Sequence, residues 1–409
     1  RPNKLKLSDK YIDSDISFHL NANFTGNSID NINGSIHLDS LVLNAPEGKG
    51  YFLDSLRITA QQNADEKTLN IESPFMQAMI QGKYSYPTIP ISITRMLQKH
   101  LPSLLVSVPA NAGSNDFHYD LQLSNTDFFS KLFYLPIELH MPVTLNGYIN
   151  DTKGKMHVEG YFPKLTYNGT LYESGTLLFE NLFNDFNCQL HGSMLMGSGA
   201  MLNLSVDAKA QNDQLKAKLN WGNNTDVTYT GQLGSIIRFS PSPIDSLQLQ
   251  TDIEILPTTM VLNDSIWNIK TSHIGIEKGR IDINNFKIER PGQHLLIDGS
   301  ITKEDTDSCI VNLKNIDVQY VLDMVQFDDV LFGGLATGTI TLKKLMDTPS
   351  INTRLNVHDF TVNNGLMGNA DIKGLWDNEL PGIRLKAQMT EENISTTQVT
   401  GYVSPELKA

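Results

Sequence analysis

The 409-residue sequence predicts an all-β protein: an elongated antiparallel β-groove of tandem repeats, with a few short amphipathic helices. Two observations lead to this prediction. Apolar and polar residues alternate over long runs, and one short strand motif recurs along the chain. Because strand side chains point alternately to the two faces of a sheet, strict alternation predicts one apolar face and one solvated face, which is typical of antiparallel sheets.

The recurring motif reads apolar, polar, polar, apolar, any, apolar. It occurs at residues 38–43, 53–58, 283–288, 313–318 and 357–362. A polar pair between two alternating runs shifts the alternation by one residue, as a β-bulge or a kink does. The motif therefore predicts a bulge or kink in each of these strands, and its return indicates one structural unit that is used repeatedly.

The clearest alternation lies between residues 200 and 255. The apolar residues of this region are expected to share one continuous face and to line the groove. Turn residues, such as those at 221–224, separate one alternating strand from the next. The predicted lining residues are Leu202, Leu204, Val206, Leu215, Leu219, Leu249, Ile253 and Ile255.

Three short helices are predicted between the strands. Ser92 can cap a helix that ends before Pro102, Thr126 can cap a second, and a third covers residues 317–325. Each has one apolar face. We interpret all three as plugs that cover apolar sheet surface, in preference to membrane-binding elements.

A longer repeat joins these parts. In both 123–169 and 313–365, a helix leads to a strand that contains a glycine, Gly147 or Gly338, and then to a strand and turn. The two stretches contain the same kinds of element in the same order, and this agreement predicts a tandem array. We expect one continuous β-groove over residues 1–409, with approximate repeat units 1–112, 113–302 and 303–409.

Composition narrows the classes of function. The net charge of −13 disfavours a nucleic-acid partner. Cys188 and Cys309 lie in phase with apolar neighbours, so we expect buried, unpaired thiols, although the sequence leaves a disulfide open. Because no apolar run reaches the roughly 18 residues of a spanning helix, any membrane anchor is expected outside this segment, which we interpret as an internal part of a longer protein.

Catalytic signatures are missing from the sequence. It contains no nucleotide-binding loop, metalloprotease motif or nucleophile elbow. The acidic pairs at 13–15 and 305–307 are interpreted as solvated turns, and the glycine-rich stretches 192–199 and 332–338 as bulges or turns. We therefore predict a protein that is not an enzyme, with no catalytic residue, cofactor or metal site.

Apolar surface is the remaining feature. Soluble proteins rarely expose apolar patches beyond a few hundred Å² unless a ligand or partner covers them. A sandwich or closed barrel would bury such a face internally, whereas an open trough would leave it facing a groove. Acyl chains are the expected contents of such a trough.

Two stretches carry a family resemblance. The first comprises residues 256–267, 281–286 and 293–299. The second, 315–376, combines the helix, the glycine strand, an entry at Pro349-Ser350-Ile351 and the strand and turn at 355–365. Over about residues 240–380 the chain resembles the TamB-like proteins of the AsmA-like superfamily, in particular those of Bacteroidota.

The resemblance implies a periplasmic bridge that moves phospholipids along an apolar β-groove between the inner and outer membranes, anchored in the inner membrane by a segment outside this chain. It also implies a partner, an outer-membrane barrel-assembly protein of the TamA/BamA type. The alternative is a translocation and assembly module, in which the groove acts as a scaffold or chaperone for insertion or secretion of outer-membrane β-barrel proteins. A carbohydrate-binding adhesin is disfavoured because the chain has only three Trp.

Overall fold

We describe a computed structural model of the chain. It describes residues 15–44, 50–63, 66–104, 113–125, 130, 135–181, 185–197, 199–223, 225–226, 228–243, 245, 247–319, 331–377, 382–391 and 394–403. These residues form 27 strands and one α-helix that is described over its full length. The strands pair in antiparallel fashion, so the predicted all-β antiparallel fold class is confirmed.

The chain divides into two compact units, Arg1–Thr228 and Tyr229–Ala409, called unit 1 and unit 2 below. The division coincides with neither boundary of the predicted repeat units 1–112, 113–302 and 303–409, and those boundaries stay a prediction.

Unit 1 contains β1 to β13 and the helix α1. The strands are Asp15–Thr25 (β1), Asn33–Asn44 (β2), Gly50–Gln62 (β3), Lys67–Glu72 (β4), Met76–Lys83 (β5), Asp116–Leu123 (β6), Ile137–Leu139 (β7), Val143–Asn150 (β8), Lys155–Tyr167 (β9), Thr170–Glu180 (β10), Phe186–Leu195 (β11), Met201–Gln211 (β12) and Gln214–Asn223 (β13). Helix α1, Ile89–His100, lies between β5 and β6 in the chain.

Unit 2 contains the remaining strands. They are Thr230–Pro241 (β14), Leu249–Ile255 (β15), Thr258–Leu262 (β16), Ser265–Ile269 (β17), Ser272–Glu277 (β18), Arg280–Arg290 (β19), Gln293–Thr302 (β20), Cys309–Asp317 (β21), Phe332–Lys343 (β22), Ser350–Val362 (β23), Gly365–Leu366 (β24), Asn369–Asp377 (β25), Gly382–Glu391 (β26) and Ile394–Val403 (β27).

Each unit is built as a meander in which most strands pair with their neighbours in sequence. In unit 1 the order is β1 to β6, then β8 to β13, and β7 pairs with the end of β9. In unit 2, β14 pairs with β15 and β15 with β18, while the hairpin β16–β17 continues the sheet between β14 and β19.

Four of the five predicted phase shifts are bulges at the expected position. Ser40, Asn285, Asn315 and Asp359, each the third residue of its motif, adopt left-handed φ angles between 49° and 53°. The pairing register shifts by one residue at each of them. Asn and Asp tolerate this conformation better than most residues. The extra residue returns both flanking apolar residues to the same face of the sheet.

The fifth motif behaves differently. In β3 no residue of the motif has a positive φ, and β3 pairs with β2 in constant register. The inserted residue of this strand pair is Ser40 of β2, and β3 itself has no inserted residue. Conversely, Ser174 of β10 forms a bulge that the motif does not detect, because Gly175 stands where the motif requires an apolar residue.

The two glycines of the longer repeat occupy similar positions. A Cβ atom on Gly147 would lie 2.1 Å from the carbonyl oxygen of His157, and a Cβ atom on Gly338 would lie 2.1 Å from that of Arg354. Each glycine therefore permits a close approach of the following strand that no other residue allows. Gly34, Gly82 and Gly299 make the same kind of close approach, so this contact is not specific to the two regions, and the longer repeat stays a prediction.

The predicted helices have mixed outcomes. Helix α1 begins at Ile89 with Thr88 as its N-cap residue and a proline in its first turn, which is a favourable place for proline. The prediction that Ser92 caps this helix is therefore wrong, because Ser92 lies fully buried inside it. The helices predicted after Thr126 and over 317–325 lie largely outside the described residues.

Candidate functional site

The pairing register assigns every strand residue to one face of its sheet, because directly opposed residues of an antiparallel pair lie on the same side. On β12, Leu204 lies opposite Gly192 and Trp221, and Val206 lies opposite Leu190 and Leu219. We call this side of unit 1 apolar face 1.

Apolar face 1 extends across the strands of unit 1 without interruption. One row of directly opposed residues crosses twelve strands and contains only aliphatic residues and one glycine: Ala22, Ile36, Ile58, Ile71, Ala78, Leu121, Leu145, Gly160, Leu177, Leu190, Val206 and Leu219. At about 4.8 Å per strand, the row is about 50 Å long when measured across the strands.

The adjacent row on the opposite face has the opposite character. Each of its members carries a polar group: Asn21, His37, Arg57, Glu72, Gln77, Gln122, Thr144, Tyr161, Thr176, His191, Ser205 and Asn220. On each of these strands, two adjacent residues thus lie on opposite faces, one on the apolar face and the other on the polar face.

Unit 2 has a corresponding side, which we call apolar face 2. One of its rows crosses nine strands and consists of Ile269, Ile288, Leu295, Leu313, Gly338, Leu355, Ile372, Ala387 and Val399. A second row runs through Ile237, Ile253, Ile274 and Ile283.

The eight predicted lining residues separate into two groups. Leu202, Leu204, Val206, Leu215 and Leu219 lie together on apolar face 1, and Leu249, Ile253 and Ile255 lie together on apolar face 2. Ile255 is only 7% exposed, so it offers little surface to a ligand, whereas the other seven are partly exposed. Their role as the lining of a lipid groove stays a prediction.

Much of apolar face 1 is open to solvent. Phe18, Leu20 and Phe24 of β1 are each about half exposed, and Leu190 of β11 is 46% exposed. Fully exposing such side chains forfeits about 1.5–3 kcal/mol apiece relative to burial. The face is therefore a surface on which an apolar ligand would gain binding energy.

One end of apolar face 1 is covered by α1. Met96 of the helix is buried, and the ring of His100 lies 5.9 Å from that of Phe186 at the start of β11. Phe186 in turn contacts Phe179 edge-on, with ring centroids 4.2 Å apart. The backbone N–H of Asp213 donates to the carbonyl oxygen of His100 across 3.0 Å. These contacts agree with the interpretation of this helix as a plug.

The length of α1 suits that position. Its 12 residues span about 18 Å, and the four strand spacings between the β8–β9 turn and the β12–β13 turn cover about 19 Å. The helix therefore reaches from one turn to the other across the strand ends.

A buried polar cluster holds the beginning of α1 against the sheet. The Oδ2 atom of Asp151, in the β8–β9 turn, accepts hydrogen bonds from Ser92 Oγ (2.5 Å), Arg95 Nη1 (3.0 Å) and the backbone N–H of Asn115 (3.2 Å). The Asp151 side chain is only 2% exposed. The Asn115 side chain donates to Ser92 Oγ and Thr88 Oγ1 and accepts from the backbone N–H of Ser85. Buried polar groups are stable when they are satisfied in this way.

A concavity that the sequence did not indicate lies on the polar face of unit 1. It has a volume of about 750 Å³ and is lined by residues that include Arg57, Glu72, Gln77, Asp120 and Asn146. Arg57 and Glu72 form a long ion pair of 3.8 Å, and both are more than half exposed. Among the described residues, no three His, Cys, Asp or Glu side chains are grouped so that they could hold a metal ion.

Both cysteines lie on the apolar faces and are free thiols, as predicted. Cys309 is almost completely buried, and Cys188 partly so. Burial raises the pKa of both thiols, and the carboxylate of Asp298 raises that of Cys309 further.

We expect two free thiols when unreduced protein is titrated with a thiol reagent in denaturant. In the native protein, alkylation of Cys309 should be much slower than in the denatured protein, because the thiolate is the reactive form and burial disfavours it. Detection of no free thiol in the denatured, unreduced sample would contradict the prediction.

Comparison of the chain with protein-family models, with curated proteins and with solved structures found no match. Within the part of the chain that the structure describes, no helix is long and apolar enough to cross a membrane.

Proposed function

We propose that this chain is a segment of a TamB-like bridge that moves phospholipids between the inner and outer membranes, with the acyl chains lying on its apolar sheet faces. The observation that carries the proposal is the pair of adjacent rows in unit 1, one apolar on all twelve strands and the next polar on all twelve. Under this proposal the segment works in the periplasm and is not an enzyme.

The repetition of the apolar row explains how a lipid could move. Burial of a methylene group contributes about 0.8 kcal/mol wherever it occurs on an apolar wall. A chain displaced by one strand exchanges Leu190 and Val206 for neighbours of similar size, so the contacts it loses resemble those it gains. Transport along such a face needs an unbroken row more than it needs a specific pocket.

The alternative function is a scaffold or chaperone for outer-membrane β-strands, with an outer-membrane barrel-assembly protein of the TamA/BamA type as partner. One observation favours it. Among the described residues β1 pairs only with β2, and under this alternative its other edge would accept an added strand. Phe18, Leu20 and Phe24 of this strand would offer apolar contacts to the added strand.

Native mass spectrometry of the protein purified from its host tests the proposal. We expect co-purified phospholipid that is released on denaturation, with more than one acyl-chain length represented. Protein that carries no phospholipid but retains an outer-membrane β-barrel client would overturn the lipid proposal and support the scaffold.

A further inference from the structure

One charged residue interrupts apolar face 2. Along β19 the residues on this face are Ile281, Ile283, Phe286, Ile288 and then Arg290, at the end of the strand. Among the described residues of β14 to β25, Arg290 is the single charged side chain that the register assigns to this face. A cation on an apolar surface is costly unless it has a purpose or a partner.

Arg290 has no acidic partner among the described residues. Its guanidinium lies 4.9 Å from the ring centroid of Trp267, and its Nε donates to Gln293 Oε1. The adjacent carboxylate, Glu289, belongs to the opposite face and pairs with Lys270 (3.0 Å) and Lys287 (2.6 Å). The positive charge of Arg290 therefore remains available to an anion.

Trp267 provides a second, independent observation. It is only 4% exposed, and among the described residues its Nε1–H has no hydrogen-bond acceptor. A buried donor without an acceptor costs about 1–3 kcal/mol. The indole ring lies beneath the guanidinium, and since Nε donates to Gln293, the two Nη groups are the donors left for a ligand.

We infer that Arg290 and Trp267 form a binding site for the phosphate group of a phospholipid whose acyl chains lie on apolar face 2. The guanidinium can donate two parallel hydrogen bonds to phosphate oxygens, and Ile288 and Phe286 continue the same face inward from Arg290. The phosphate group would therefore lie at the end of β19, beside Arg290, and the acyl chains would lie along the apolar side chains of the same strand. The inference rests on the proposed function and adds a preferred resting position for the headgroup.

The test compares two lipids with identical acyl chains, phosphatidylglycerol and diacylglycerol, bound to the full chain and followed by native mass spectrometry. We expect Arg290→Gln to weaken phosphatidylglycerol binding about tenfold and to leave diacylglycerol binding unchanged. Lys314→Gln is the matched control and should alter neither, because Lys314 is exposed on the opposite face of β21.

Other outcomes separate the two proposals. Equal binding of both lipids by wild type and Arg290→Gln would overturn the phosphate site but leave the lipid-transfer function intact. Failure of wild-type protein to bind either lipid would overturn the function itself. Competition by sn-glycerol 3-phosphate at concentrations comparable with the lipid would show a site for free phosphate and contradict the lipid assignment.

A second variant guards against a folding defect. If Arg290→Gln lowers the melting temperature, Arg290→Lys keeps the positive charge and removes only the fork of parallel N–H donors. We expect Arg290→Lys to weaken phosphatidylglycerol binding severalfold and to spare diacylglycerol. Wild-type selectivity between the two lipids in both variants would overturn the phosphate site.

Discussion

The double substitution Leu204→Asp with Leu219→Asp is expected to abolish co-purification of phospholipid with this protein. Leu204 lies opposite Gly192 and Trp221, and Leu219 lies opposite Val206, so both carboxylates would enter apolar face 1. Burying an ionised carboxylate against hydrocarbon costs several kcal/mol, more than the burial of a few methylenes returns. The measurement is lipid bound per protein, together with outer-membrane lipid homeostasis in cells that carry the full-length variant at normal abundance.

The control for this experiment is Asn203→Asp. Asn203 is exposed on the polar face of the same strand, one residue from Leu204. Lys209, which also faces away from the apolar side, is a poorer control because its ammonium group pairs with Asp185, and a carboxylate there would repel that partner. Well-expressed double variants that retain wild-type lipid content would contradict the lipid-bridge mechanism and favour the scaffold.

Asp151→Ala should destabilise unit 1 by about 2–3 kcal/mol, because buried donors would lose their acceptor, whereas Arg95, with 38% of its side chain exposed, can be rehydrated. Ser92, Arg95 and Asn115 would each lose the acceptor they share. Because this cluster fixes the beginning of α1, we expect the helix to separate from the strand ends before the sheet unfolds. Urea denaturation, with hydrogen exchange followed in α1, measures both effects.

Asp120→Ala serves as the control, since Asp120 is exposed on the polar face of β6. It should change the free energy of unfolding by less than about 0.5 kcal/mol. Equal protection of α1 amides in Asp151→Ala and wild type would show that the apolar contacts of Met96 and His100 hold the helix without the polar cluster.

The sequence was sufficient for the strands because their physical determinant is local. Alternation along β12 is imposed by the period of two residues of a pleated strand, so Leu202, Leu204 and Val206 could be assigned to one face before their neighbours were known. The bulges at Asn285, Asn315 and Asp359 were predictable for a similar reason: a shift in hydrophobic phase requires an extra residue in the strand.

Features that depend on distant parts of the chain could not be predicted. The position of α1 follows from Asp151 and Asn115, which lie beyond it in the sequence and contact it only in the fold. The position of Arg290 over the ring of Trp267 requires the β16–β17 hairpin to pair with the end of β19. The polar concavity of unit 1 depends on sheet curvature, for which alternation contains no signal.

The central claim, that acyl chains lie on the apolar faces, is tested most directly by site-specific photo-crosslinking in cells. A benzophenone amino acid is placed at Leu204 or Leu249 on the apolar side, and at the adjacent polar-face positions Asn203 or Gln250. We predict phospholipid adducts at Leu204 and Leu249 and none at Asn203 and Gln250. Adducts of equal yield on both faces, or adducts with protein alone at the apolar positions, would contradict the claim.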